Sequence, residues 1–187
     1  YKQLLLYFPR LSMGKAFKPE TEKVIWREDE AGFKAWCEGK TGFPIVDAAM
    51  RQLNQTGWMH NRLRMITASF LSKLLLLDWR RGEQYFMQTL IDGEFAANNG
   101  GWQWSASTGV DSAPYFRVFN PTLQSERYDP QGLFIKRFVP ELKDVPIKQL
   151  HNPPAELREQ CGYPQPVVNY KQARKDAIAA FKDLPKD

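Results

Sequence analysis

Three stretches of this chain carry residues whose types and spacing could do chemistry. In residues 57–65, GWMHNRLRM, helical spacing puts Asn61, Arg64 and Met65 on one face, three and four residues apart. Such a face could offer an amide and a guanidinium to one ligand. Arg62 points elsewhere and could meet a phosphate. The same residues also suit the start of an amphipathic helix with solvated arginines. Residues 92–104, DGEFAANNGGWQW, place two acids before two amides, two glycines and two tryptophans. Glycine permits close backbone approach to a ligand, and Asp92 could form a buried, oriented ion pair with an arginine. A helix end, an Asn-Gly turn and two core tryptophans would account for the stretch equally well. In residues 105–121, Arg117 stands among Tyr115, Phe116 and Phe119. That mixture suits nucleic acid, with the guanidinium on phosphate and the rings stacking on bases, or else a packed loop.

The sequence contains no nucleophile–histidine–acid set, zinc pattern or phosphate loop. An enzyme built on these residues would need a cofactor for the hard chemistry.

The elements that must position these residues read as helices. Residues 33–36 suggest a short helix closed by Gly39 and Gly42. Pro44 opens another, with Ile45, Ala48, Ala49 and Leu53 inward and Gly57 at its end. Residues 61–77 give the strongest helical pattern, with Leu63, Ile66, Phe70, Leu71, Leu74 and Leu77 inward. A further helix is expected from Gly82 or Glu83 to Ile91. Asn98-Asn99-Gly100-Gly101 reads as a turn. Residues 108–166, rich in Pro, Gly and Asn, predict short helices and long ordered loops. Residues 168–181 predict a last amphipathic helix with Ala173, Ala177, Ile178 and Phe181 inward. No stretch alternates with period two, so the expected class is all-α.

The 187 residues suffice for one domain with a real core. A net charge of +5 fits a nucleic-acid partner without establishing one. Cys37 and Cys161 lack metal-ligand spacing and a disulfide framework, which points to a reducing compartment and a cytoplasmic location. With only two histidines, no metal site is expected. The longest apolar stretch, residues 65–77, contains Lys73 and is shorter than the roughly 20 residues needed to cross a bilayer, so no membrane partner is expected either. The chain opens without Met inside an apolar run, which reads as a fragment or a processed chain.

GKTGFPIVDAAMRQL (39–53), TGWMHNRLRM (56–65) and NNGGWQW (98–104) occur in order, followed by LFIKRFVPELKDVP (133–146) and YPQPVV (163–168). Together they resemble the photolyase/cryptochrome family, most densely over residues 26–120. The resemblance implies a helical domain that holds FAD. All 187 residues would be its carboxy-terminal part, lacking an α/β antenna domain and the first part of the helical domain. A folate- or deazaflavin-type antenna pigment is expected only with that missing domain.

Within the family, Asn98 matches the asparagine facing the flavin's reactive ring nitrogen, where plant cryptochromes have Asp. Asn61 and Met65 match members that repair cyclobutane pyrimidine dimers. The implied function is light-driven repair of such dimers in DNA, with a cryptochrome-type photoreceptor as the alternative and a cofactor-free nucleic-acid-binding module as a third reading. The resemblance assigns Asn61, Arg64, Asp92, Gly93, Glu94 and Asn98 to the cofactor; Glu94 departs from the Asp usual in close members. It assigns Asn61, Arg62, Met65, Trp104 and Arg117 to lesion and DNA. It makes Trp102, Trp79 and Trp26 an electron route from flavin to surface.

Overall fold

The computed structural model describes residues 1–182 and 184. Among these, eleven α-helices follow one another with no strand: α1 Lys2–Tyr7, α2 Glu30–Glu38, α3 Pro44–Thr56, α4 Asn61–Ser69, α5 Trp79–Thr89, α6 Phe95–Ala106, α7 Pro121–Tyr128, α8 Leu133–Phe138, α9 Ile147–Leu150, α10 Ala155–Cys161 and α11 Tyr170–Lys182. The all-α expectation holds. No helix here is long and apolar enough to cross a membrane.

α3 is the central helix. Pro44 at its first turn needs no amide partner, and residues 44–50 are buried all round, as a helix enclosed by others must be. α2, α4, α7 and α8 pack against it. Side-chain caps fix several starts: Asp29 accepts from the Gly32 amide, Asp78 from Arg80, Glu94 from Ala96 and Ala97, and Asn120 from Thr122 and Leu123. Each such cap contributes about 1 kcal/mol. The Asp78 cap starts α5 at Trp79, three residues before the expected Gly82.

Two other expectations are corrected. The helix from Asn61 does not run to Leu77. At Phe70 it widens into a π-helical turn, Phe70–Leu74, and Leu76 lies at φ 54°. The wider turn keeps Phe70, Leu71 and Leu74 in the core and also brings Lys73 fully inside. Residues 98–101 are not a turn but the middle of α6. Glu94 sets its start, and buried Ala96, Asn99, Trp102 and Gln103 hold it in place. Packing outweighs the roughly 1 kcal/mol that each glycine costs in a helix. Gly100 is required there, because the Tyr1 ring lies where a Cβ would stand.

In the last third, the short helices α7 to α10 are stapled back onto α3. Buried Asp47 accepts from the Thr41 and Gly42 amides and the Tyr163 hydroxyl. Buried Arg158 donates to the carbonyls of Pro153, Gly42 and Pro164. In α11, Ala173, Ala177 and Phe181 face inward as expected, while Ile178 is only half-buried.

Candidate functional site: a pocket between α4 and α6

Two helical rows face each other across an open-mouthed pocket of about 140 Å³. α4 contributes Asn61, Arg64, Met65 and Ala68, spaced by threes and fours. α6 and its cap contribute Glu94, Ala97, Asn98, Gly101, Trp102 and Ser105, and Phe86, Leu90 and Gly93 close the wall. The shared face of Asn61, Arg64 and Met65 is therefore present. The Asn61 amide also reaches the Met65 sulfur at 3.8 Å. His60 caps α4 through its ring nitrogen.

Arg64 is fixed twice. Its Nε donates to the Met59 carbonyl at 2.7 Å, and one Nη donates to both Asp92 oxygens at 2.9 and 2.8 Å. The pair is formed but is not buried, since the Asp92 side chain is 47% exposed. Asp92 follows the end of α5 in an open turn that solvent reaches. An ion pair this wet is worth about 0–1 kcal/mol, so it orients the guanidinium more than it stabilises the fold.

Glu94 borders the pocket, but its carboxylate oxygens are occupied by the Ala96 and Ala97 amides at 3.3 and 2.8 Å. Those backbone bonds, the Ala97 one first, hold its carboxyl below the usual range. Its observed role is as the cap that starts α6.

Asn98 stands between the rows. Its Nδ2 donates to the Glu83 backbone carbonyl at 2.9 Å and to the Glu83 carboxyl at 3.3 Å. A carbonyl oxygen can only accept, so the amide orientation is determined. Asn98 offers the pocket an uncharged acceptor, Oδ1. Burial of Glu83 pushes its carboxyl above the ordinary range.

Trp102 forms the inner wall. Its ring meets Phe86 edge-on at 5.0 Å and Trp36 at 5.9 Å, and it lies directly over Gly82, where any Cβ would collide with it. Trp79, Gly82 and Phe86 are the buried row of α5, so Trp102 packs on the helix face that carries Trp79. The indole N–H groups of Trp79 and Trp102 are buried with no acceptor among the described residues. Trp26 is half-buried. It meets Phe181 of α11 edge-on at 6.1 Å and packs both on the small cluster of Val24, Leu76 and Phe181 and on the edge of the main core.

Outside the pocket, Arg62 lies over the exposed Tyr128 ring at 4.8 Å, and Arg127 lies 5.3 Å from the same ring. Arg117 is exposed in the irregular stretch before α7. Trp104 does not line the pocket: it is half-buried, off the row that carries Asn98, Gly101, Trp102 and Ser105. Sequence reading missed Glu83 as the partner of Asn98 and Trp36 as the support of Trp102. Neither position carries a spacing signal, because each contact joins different helices.

A family model described as the FAD binding domain of DNA photolyase matches residues 1–183. The chain is 58% identical to a deoxyribodipyrimidine photo-lyase of Escherichia coli over 186 residues, covering 97% of this chain and 39% of that protein. It is 55% identical to a deoxyribodipyrimidine photo-lyase of Vibrio cholerae over 185 residues, with the same coverage of each. Among solved structures, a class III photolyase from Agrobacterium tumefaciens aligns with a TM-score of 0.90 at 48% identity, covering 96% of this chain and 39% of that one. A cryptochrome from Synechocystis aligns with a TM-score of 0.79 at 40% identity, covering 85% and 35%. The chain thus spans about two fifths of the length of the photo-lyases it matches.

Proposed function

This chain belongs to the family of FAD-binding domains of DNA photolyases, and from that premise we propose that it serves light-driven repair of cyclobutane pyrimidine dimers in DNA. The observation that carries the proposal is the acceptor presented by Asn98 beside the Trp102 wall.

The pocket fits a flavin ring. It offers a flat apolar wall in Trp102 and Phe86, an oriented cation in Arg64, and backbone access at Gly93 and Gly101. Beyond its chain neighbours and the backbone of its own helix, nothing lies within 4 Å of a Cβ built on Gly101, so a planar group can approach the helix closely there. When bound in its reduced form and excited by blue light, FAD supplies the electron that opens the dimer's cyclobutane ring and then takes it back.

The chain's own residues bind and orient. Asn98, fixed by Glu83, accepts a hydrogen bond from a ring N–H without adding negative charge. Arg64, held by Met59 and Asp92, faces electron-rich ring atoms. Trp102 and Phe86 keep water off the inner face. Asn61 and Met65, nearer the exposed end of the α4 row, are assigned to the flipped dimer. Arg62 and Arg117, both outside the pocket, are assigned to backbone phosphates. Trp104 is assigned to the lesion side only as a flank, given its place off the pocket row. Trp102, Trp79 and Trp26 are assigned to resupply electrons from the surface. An antenna pigment of folate or deazaflavin type would belong to a part of the longer protein outside these residues. The DNA substrate and the free cysteines Cys37 and Cys161 fit a cytoplasmic setting.

The test is dimer-containing DNA given to the longer protein that carries this chain, loaded with reduced FAD, under blue light. Restored thymines support the proposal. Flavin photochemistry without restored thymines would favour the photoreceptor alternative.

A further inference from the structure

Lys73 is fully buried, yet nothing in the pocket uses it. Its Nζ donates to the Ser107 hydroxyl at 2.9 Å and sits 3.6 Å over the Phe181 ring. The opposite charges on the packed elements are otherwise engaged: Asp176 of α11 holds Arg27 at 2.6 Å, and Arg80 holds both Asp78 and Glu22. Glu20 and Lys23 lie on the Pro19–Lys23 turn, and Asp111 is exposed in the loop after Ser107. Lys18, tied to Ser112 at 2.8 Å, adds like charge. Phe181 also carries Trp26 edge-on at 6.1 Å. The two centroid distances together place the ammonium no more than about 10 Å from the Trp26 indole, with low-dielectric aromatic matter between.

We propose that Lys73 is a positioning residue for charge, one whose protonation decides how readily Trp26 carries an electron deficit. The inference rests on the reading of Trp26 as the outer tryptophan of the route.

The step is a one-electron exchange. A photo-excited oxidised flavin in the pocket is the oxidant that starts the deficit. One electron then passes from the Trp26 indole to the Trp79 radical cation, and no bond forms or breaks. A charged Lys73 disfavours positive charge on Trp26, so the deficit stays further inside and recombines sooner. A neutral Lys73 lets it rest on Trp26. Burial brings the ammonium down from 10.5 to about 7, so both forms are accessible near neutral pH.

The test follows charge recombination by flash photolysis of the full chain with oxidised FAD, from pH 6 to 8.5. Unit charges about 10 Å apart across partly screened protein predict a slowing of about two- to tenfold as pH rises. Lys73→Met should show the slow rate at every pH. Trp26→Phe should show fast recombination throughout. An unchanged long-lived signal in Trp26→Phe would overturn the route and the inference with it. A parent pH profile retained in Lys73→Met, with Trp26→Phe behaving as expected, would overturn the inference alone. A cofactor-independent readout is nitrogen NMR of labelled lysines in the parent. One lysine titrating near pH 7, and lost in Lys73→Met, supports the proposal, whereas all lysines titrating above pH 9 would refute it even if the variant failed to fold.

Discussion

The side-chain Nδ2 of Asn98 donates to the backbone carbonyl of Glu83 at 2.9 Å, joining the middle of α6 to α5. Because that carbonyl belongs to the main chain, no change of the Glu83 side chain removes the anchor. A change at Asn98 does. Asn98→Asp replaces the donor with an acceptor that faces another acceptor, and adds negative charge beside a half-buried carboxyl already raised by burial. The loss of a bond and its replacement by repulsion is worth about 1–3 kcal/mol. In the FAD-loaded full chain, the variant should hold the reduced flavin less well and repair more slowly. A flavin potential and repair rate equal to the parent's would show that Asn98 does not face the ring.

The three tryptophans predict a separation of two activities. Trp102→Phe, Trp79→Phe and Trp26→Phe should each slow photoreduction of oxidised flavin, while chemically reduced enzyme keeps its repair. The indole N–H groups of Trp79 and Trp102 have no acceptor among the described residues. An electron deficit on either ring has nowhere nearby to release a proton and so stays mobile. Gly82→Ala should mimic Trp102→Phe in part, because a methyl there meets the Trp102 ring. Photoreduction at the parent rate in all three tryptophan variants would place the route elsewhere.

How much of this was legible in the sequence depended on whether a signal lay within one element. The Asn61, Arg64 and Met65 face was readable from spacing alone, because a single helix makes it. The pairing of Asp92 with an arginine was legible, but the burial expected for it was not met, since exposure depends on what covers the turn. Residues 98–101 were misread because local turn propensity opposed tertiary packing, and the packing came from Tyr1 against Gly100 and Phe17 on Gln103, both remote in sequence. Lys73 looked like an interruption in an apolar run. Only the π-helical turn, which no period reveals, brings it inside.

Arg62 and Arg117 should act on DNA affinity through salt. Arg62 stacks on Tyr128 and Arg117 is exposed, so both are free of carboxylate partners in the described ion pairs. Neutralising either should weaken binding to damaged duplex and reduce the slope of log affinity against log salt by about one unit, as for one lost phosphate contact. A slope equal to the parent's would remove that arginine from the interface.

The last prediction concerns stability and needs no cofactor. Lys73 titrates near 10.5 in the unfolded chain and near 7 once buried. Between those values the unfolded chain binds a proton that the folded chain does not, so folding stability rises with pH across that window. The rise is about 1.4 kcal/mol per pH unit where the difference is a full proton. Below about pH 7 both states are charged, and the whole penalty of the buried ammonium is present. Lys73→Met keeps an unbranched apolar stem one atom shorter and removes the charge. It should therefore raise the midpoint of denaturation most at pH 6–7, and its advantage should shrink steadily toward pH 10. Chemical denaturation of both chains at pH 6, 8 and 10 measures this directly. A difference between them that does not change with pH would mean that the folded lysine titrates as it does in water, and that its ammonium is not enclosed by Ser107 and Phe181.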